Sequence, residues 1–95
     1  SFKEGMIVSN EPGYYENGKF GIRIENLIRV KKNKKGYLFD NLTMAPIDKS
    51  LINKNTLKKN EINWLNNYHN NVFNNLKKFM NKSELFDLKQ ACSKI

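Results

Sequence analysis

The sequence is poor in cysteine, in proline and in long apolar runs. Its one cysteine, Cys92, cannot form a disulfide within the chain, which fits a reducing compartment and a cytoplasmic location. No apolar stretch approaches the roughly 20 residues that a membrane-spanning helix needs, which excludes such a helix. There is neither an initiator methionine nor a charged-then-apolar leader, and we therefore expect a fragment of a longer protein.

The charge is positive and unevenly spread. The chain has 17 Lys and Arg against 9 Asp and Glu, which gives a net charge of +8 at pH 7. Most of the excess lies in residues 49–95, and a basic half could neutralise phosphate, so a nucleic-acid-binding domain is one alternative. The bases, however, are nearly all lysines dispersed among asparagines, and only Arg23 and Arg29 offer a planar fork. We therefore expect neither nucleic acid nor a membrane as a partner.

Residues 6–47 show the alternation that is typical of β-strands. Apolar and mainly polar residues alternate between positions 22 and 30, with one break in the apolar parity at Asn26. This pattern predicts a strand with one mainly apolar face. Asn17-Gly18 and Lys35-Gly36 mark the expected turns, because Asn and Gly tolerate a positive φ.

A further strand is expected after the second turn. It would include residues 37–39 and 42–44, with an interruption at Asp40-Asn41. It would end near Pro46, which cannot donate a hydrogen bond to a neighbouring strand.

From about Thr56 the apolar residues recur every three or four positions, which predicts an amphipathic helix. The residues of this stripe are Ile62, Leu65, His69, Val72, Phe73, Leu76, Phe79 and Met80. Asn55 or Thr56 is the predicted N-cap, and Ser83 is predicted to cap a second helix after a break at Asn81-Lys82. His69 lies on the apolar stripe and is expected to be a hydrogen-bonded packing residue. Together the two patterns predict an α+β fold, with strands in residues 1–48 and two helices in residues 49–95.

Two glutamates, Glu11 and Glu25, lie 14 positions apart within apolar strand sequence. A two-residue hairpin turn at Asn17-Gly18 would pair residue i with residue 35 − i and would place the two side chains on opposite faces. A turn of odd length, or one bulge, would instead pair residue i with residue 36 − i. Glu11 would then face Glu25.

The second register would also gather the other unusual residues of this stretch. Gly13 would face Arg23, and Tyr15 would face Gly21, with Tyr15 diagonal to Arg23 and within reach of its long side chain. All of these groups would then share one face of the hairpin.

Two carboxylates that face each other repel unless a cation lies between them. Oxygen ligands alone suit a hard ion such as Mg²⁺ or Mn²⁺, so the second register predicts a metal site. A plainer interpretation is also open. Glu25 could pair with Arg23 or Arg29, and Glu11 could face solvent.

The string EPGYYENGKFGIRIEN at residues 11–26 resembles the end of the catalytic domain of the aminopeptidase P family. These Xaa-Pro aminopeptidases belong to the pita-bread superfamily, together with methionine aminopeptidase, prolidase and creatinase. GYLFDNLTMAPI at residues 36–47 and WLNNYH at residues 64–69 are most similar to the large cytosolic eukaryotic members. The resemblance implies a C-terminal fragment of a pita-bread fold.

That resemblance also implies roles for individual residues. Members of the family hold two divalent ions, usually Mn²⁺, with two Asp, one His and two Glu. Glu11 matches a ligand of one ion that also handles a proton of the attacking water, and Glu25 matches the carboxylate that bridges both ions. Tyr15 and Arg23 match a pair of residues that steadies the site. The implied reaction releases the N-terminal residue of a peptide whose second residue is proline.

The family's two Asp and its His ligand precede the Glu-Pro-Gly element, and no Asp occurs before Asp40 in this chain. The resemblance therefore implies that the remainder of the catalytic domain is a partner, and a homodimer is expected for the parent protein. A catalytically dead pita-bread module that binds peptides or proteins is the other alternative, although such a module has no need of paired carboxylates.

The isolated 95-residue chain should therefore be inactive, because it carries only two of the five ligands that the resemblance implies. The measurement is release of the first residue from a Xaa-Pro peptide in the presence of Mn²⁺. Turnover by the isolated chain would contradict this prediction.

Overall fold

The computed structural model describes all residues from 1 to 95, in two compact units, Ser1–Thr43 and Met44–Ile95. The first unit contains five strands: β1 (Ile7–Asn10), β2 (Gly13–Glu16), β3 (Phe20–Arg23), β4 (Asn26–Asn33) and β5 (Gly36–Asn41). The second unit contains helices α1 (Lys59–Leu76) and α2 (Lys82–Ala91), with 3₁₀ turns at Lys49–Leu51, Lys54–Thr56 and Lys77–Phe79. Strands followed by two helices confirm the predicted α+β class.

The first four strands form the two arms of one long, interrupted hairpin. β2 pairs with β3 next to the turn, and β1 pairs with β4 farther from it, both antiparallel. The turn has three residues, 17–19, and the Lys19 amide donates to the Glu16 carbonyl at 3.0 Å. Gly18 has a φ of +70°, a conformation that favours glycine. The turn is therefore of odd length, as the second of the two predicted registers requires.

β5 completes a three-stranded sheet in the order β1-β4-β5. The predicted interruption at Asp40-Asn41 is wrong, because both residues lie inside β5, paired with Arg29 and Ile28. Their polarity is accommodated at this position, since Asp40 accepts from Arg29 at 2.9 Å across the strands. The predicted extension over residues 42–44 is also wrong, and Pro46 lies beyond the strand end at Asn41.

Most of the apolar side chains of the first unit are exposed. Only Val30 is buried, beneath the N-terminal segment, where the Gly5 amide donates to the Val30 carbonyl at 2.9 Å and Phe2 packs edge-on against Phe39. The exposed apolar residues of the hairpin include Ile7, Tyr14, Tyr15, Phe20, Ile22, Ile24 and Leu27. An apolar surface of this extent is typical of a sheet that packs against further protein.

The second unit has its own core, which consists of Tyr68, Val72 and Leu88. Partly buried residues pack around these three: Met44, Ile47, Phe73, Leu76, Met80 and Cys92. The extended segment before α1 is tied to that helix, because the Tyr68 hydroxyl donates to the Ala45 carbonyl at 2.7 Å. No helix of either unit combines the length and the apolar character that crossing a membrane demands.

The helix termini differ from the predicted caps. Asn55 and Thr56 lie in a 3₁₀ turn, and α1 is capped at Lys58, whose amide donates to the Glu61 carboxylate at 2.8 Å. α1 ends at Leu76, earlier than the apolar stripe suggests. Asn81, not Ser83, caps α2 through its side chain.

His69 is fully buried on α1. Its Nε2 accepts from the Ile47 amide at 3.0 Å, while its Nδ1 has no hydrogen-bond partner. These observations confirm the prediction of a hydrogen-bonded packing residue. Burial, assisted by the positive charge of Lys49, lowers the pKa of His69 from its ordinary value of 6.5.

The second unit should therefore lose stability as the pH falls below 6.5. In the window between 6.5 and the lowered pKa of folded His69, the unfolded chain binds more protons, so the free energy of unfolding rises with pH by at most about 1.4 kcal/mol per pH unit. Urea unfolding of the chain between pH 7.5 and pH 5.5 measures this slope. His69→Gln removes the titrating group and should flatten the curve in this window. An unchanged slope in that variant would contradict the assignment to His69.

Candidate metal centre

The two ladders of the hairpin share one register. In the outer ladder Asn10 pairs with Asn26, and in the inner ladder Gly13 pairs with Arg23, so the residue numbers of each pair sum to the same value. The inner pairings are those of the predicted second register. When the register is continued through the gap between the ladders, Glu11 becomes the partner of Glu25.

Hydrogen bonds on both sides of the gap define the kind of pair that the two glutamates form. The Val30 amide donates to the Met6 carbonyl at 2.8 Å, and the Ile24 amide donates to the Pro12 carbonyl at 3.2 Å. In antiparallel sheets hydrogen-bonded and non-hydrogen-bonded pairs alternate, so the glutamate pair takes the non-hydrogen-bonded position. Facing side chains are closest at that position, where Cα atoms are typically about 4.5 Å apart.

Pro12 explains why the ladder is interrupted beside the glutamates. It has no amide hydrogen, so it can accept from Ile24 but cannot return the second hydrogen bond of the pair. The arms consequently separate into β1 and β2 on one side and into β3 and β4 on the other. Both glutamates lie in this short irregular stretch, where their backbone is free of strict strand geometry.

Glu25 has an arginine partner on its own arm. Arg23 Nε lies 3.4 Å from Glu25 Oε2, and both side chains are about half exposed. Arg29, the other arginine considered in the sequence, pairs with Asp40 instead. Lys31 and Arg29 donate to Asp40 and lower its pKa.

Glu11 is exposed, and so is Glu25. The apolar sequence around them suggests buried carboxylates, but both side chains are exposed in this chain. Their charges are therefore solvated, and in the continued register the unfavourable interaction that remains is the repulsion between the two carboxylates.

Tyr15 lies against the backbone of the same hairpin face. A Cβ atom built on Gly21 would be 2.5 Å from Tyr15 Cδ1, and one built on Gly13 would be 2.7 Å from the Tyr15 hydroxyl oxygen. The ring therefore spans from Gly21, its cross-strand partner, to Gly13, the partner of Arg23. The phenol hydroxyl is brought to the Arg23 end of the face.

The chain cannot surround a metal ion by itself. No group of three or more His, Cys, Asp or Glu side chains is close enough to hold an ion. The donor set that the continued register would offer is the carboxylates of Glu11 and Glu25, and a hard divalent ion prefers such oxygen ligands. The residues therefore fit a divalent-ion site to which other protein contributes further ligands.

Sequence reasoning recognised the pairings of Gly13 and Gly21 but missed their contact with the Tyr15 ring. The available signal was the placement of an aromatic residue directly opposite one glycine and two positions from another, since an aromatic ring commonly covers a glycine on a neighbouring strand. Side-chain rotamers decide whether that contact forms, and residue spacing alone does not specify them.

Without metal, Glu11→Gln should raise the stability of the hairpin slightly, by a few tenths of a kcal/mol, because it removes one of two facing like charges. Glu16→Gln is the matched control. It removes a favourable pair with Lys19 at 3.2 Å and should have the opposite sign. Urea unfolding at low salt measures both effects, and added salt should reduce them. Destabilisation by Glu11→Gln at low salt would contradict the facing arrangement.

Both the sequence and the fold of this chain are similar to those of known metallopeptidases. A family model described as "Metallopeptidase family M24" matches residues 1–32, and one described as "C-terminal region of peptidase_M24" matches residues 35–95. A solved X-prolyl aminopeptidase from Caenorhabditis elegans, described as a cytosolic enzyme with a di-nuclear active site, superposes with a TM-score of 0.84 at 35% identity. The superposition covers 99% of this chain and 17% of that one.

Curated relatives match over most of this chain. A probable Xaa-Pro aminopeptidase P from Laccaria bicolor is 52% identical over 75 residues, which is 70% of this chain and 12% of the relative. A probable Xaa-Pro aminopeptidase P from Botryotinia fuckeliana is 45% identical over 89 residues, covering 85% and 14%. Aminopeptidase P1 from Arabidopsis thaliana is 45% identical over 94 residues, covering 90% and 15%.

The chain thus spans only about one seventh of the length of these relatives. The model of the C-terminal region matches well over half of its residues, and the M24 model matches most of the remainder. The chain belongs to metallopeptidase family M24.

Proposed function

We propose that this chain is the C-terminal part of a dinuclear metal-dependent aminopeptidase that releases the N-terminal residue from peptides with proline in the second position. The relatives that match it are named as Xaa-Pro or X-prolyl aminopeptidases. The observation that supports the proposal is the single register of the two ladders, which would pair Glu11 with Glu25 when it is continued through the gap between them. Two carboxylates paired in this way repel each other unless a cation binds between them.

In this proposal both glutamates hold the metal ions. Glu25 would contribute its carboxylate to both ions, and Glu11 would bind one ion and would also exchange a proton with water. Two Asp and one His must come from outside this chain, in agreement with the lack of a complete ligand group within it. When bound, the ions would polarise the scissile carbonyl group and activate water for attack.

Arg23 and Tyr15 support the carboxylates in this proposal. The Arg23 guanidinium lies 3.4 Å from Glu25 and limits the directions in which that carboxylate can turn. Groups that orient a metal ligand typically change metal affinity or activity by about 10- to 100-fold when they are removed. Arg23 also offsets part of the negative charge that the two glutamates bring together.

Several finer features belong to the same proposal. We infer that the ions are Mn²⁺, that the parent protein is a cytoplasmic homodimer, and that its substrates are proline-containing peptides. Residues 1–48 would complete the catalytic domain, and residues 49–95 would form a helical extension. The exposed apolar face of the hairpin supports a role for the rest of the catalytic domain as the structure that covers it.

In the full-length protein, Glu25→Gln and Glu11→Gln should each lower Mn²⁺ content below two ions per chain. Each should reduce Xaa-Pro peptide hydrolysis by more than about 100-fold, beyond the range typical of groups that only orient a ligand. Metal analysis and peptide assays measure the two effects. Glu16→Gln, on the same arm but paired with Lys19, is the control and should retain both metal and activity. Full activity in the Glu25→Gln variant would overturn the proposal.

A further inference from the structure

The Tyr15 ring occupies a position that only glycine neighbours allow. It contacts Gly21 across the strands along the Cδ1–Cε1 edge, and its hydroxyl, Cζ and Cε2 atoms lie over Gly13. A Cβ at either glycine would come within 3.0 Å of the ring, closer than side-chain carbons approach one another in folded proteins. The two glycines form a cradle for this ring.

The cradle points the phenol group toward the glutamate end of the hairpin. Gly13 is the register partner of Arg23, and Arg23 pairs with Glu25 at 3.4 Å. Side chains that face each other across two strands have Cβ atoms about 4.5–5.5 Å apart. The Tyr15 hydroxyl above Gly13 is therefore one cross-strand position from the arginine that contacts Glu25.

The same ring has little else to hold it in this chain. In the isolated chain Tyr15 is 65% exposed, so a ring that is pushed off the glycines can move away from them without disturbing the strand pairing. A methyl group at position 21 would therefore displace the ring instead of the backbone. Such a change should move the phenol group while leaving the strand pairing largely intact.

We propose that Gly21 is a positioning residue of the metal centre, which acts by holding the Tyr15 ring beside the Arg23–Glu25 pair. Gly13 completes the cradle beneath the hydroxyl group. The proposal rests on the proposed function, because it takes Glu25 to be a metal ligand. Gly21 has no side chain, so its effect on the metal would act through Tyr15 and then through Arg23.

A plainer alternative is that the ring only shields the glycine backbone and so stabilises the hairpin. The two roles predict different results for Gly21→Ala. A stabilising role lowers the free energy of unfolding and leaves the metal affinity of the folded protein unchanged. A positioning role weakens metal binding in a protein whose stability is nearly that of the original.

The test is a double-mutant cycle on Mn²⁺ affinity in the full-length protein, with Gly21→Ala, Tyr15→Ala and the double variant. Gly21→Ala should weaken Mn²⁺ binding by about 10-fold, at the lower end of the range for outer groups. It should have almost no further effect when Tyr15 is already Ala. Tyr14, the residue before Tyr15 on β2, points to the opposite face of the hairpin. Gly21→Ala should therefore keep its full effect on Mn²⁺ binding in a Tyr14→Leu background, which is the matched control.

An NMR measurement on the chain tests the contact without reference to metal or activity. The Gly21 α-proton that faces the edge of the Tyr15 ring should be shifted downfield, and Tyr15→Ala should abolish this shift while Tyr14→Leu preserves it. Absence of the shift would overturn the proposal. So would equal effects of Gly21→Ala in the presence and absence of Tyr15.

Failure of the proposed function is recognised separately. A full-length protein that binds Mn²⁺ with the expected coupling but does not cleave Xaa-Pro peptides would contradict the proposed reaction and support the role of Gly21. An active protein with additive effects in the cycle would support the proposed function and contradict the role of Gly21.

Discussion

The odd length of the turn at residues 17–19 is the constraint on which the candidate site depends. Because side chains alternate between the two faces of a strand, one residue more or less in the turn would move one arm's entire set of side chains to the other face. With three residues in the turn, Tyr15 pairs with Gly21, and the same register continued through the gap places Glu11 opposite Glu25 on the same face. The positive φ of Gly18 closes this turn without strain on a side chain.

The hairpin that results is unfavourable in two respects when it is considered alone. Its register, continued through the gap, sets two carboxylates opposite each other, and most of its apolar side chains are exposed. The first problem is relieved by a cation and the second by covering protein. Both remedies would have to come from outside the chain. Catalytic sites commonly retain arrangements that cost stability, because their geometry serves binding.

The sequence predicted the strands and the helices and suggested a metal site, but it left the register open. Asn17-Gly18 marks a turn, yet the dipeptide alone does not fix whether two or three residues form it. The strand containing Asp40 was misjudged for a different reason. Polarity within a strand usually signals an interruption, whereas here Arg29 and Lys31 on the adjacent strand supply partners for the carboxylate. Cross-strand partners become visible only once the register is known.

The position of a helix cap was also only partly predictable from the sequence. Asn55 and Thr56 are good capping residues by type, but Asn53 accepts the Asn55 amide and initiates a 3₁₀ turn first, which delays the α-helix to Lys59. Residue type thus indicates which side chains can cap a helix, but competition for the neighbouring backbone amides decides which side chain does so.

The two units are stabilised in different ways, and this difference bears on how each can be changed. In the second unit polar groups find partners within the unit. Lys49 Nζ donates to the carbonyls of Gln90 and Ser93 at the end of α2, at 2.9 and 2.8 Å, and the Ile47 amide donates to His69. Substitutions there act mainly on stability. In the first unit Glu11 and Glu25 are exposed and lie outside any packed core, so substitutions at these positions should separate binding from folding more cleanly.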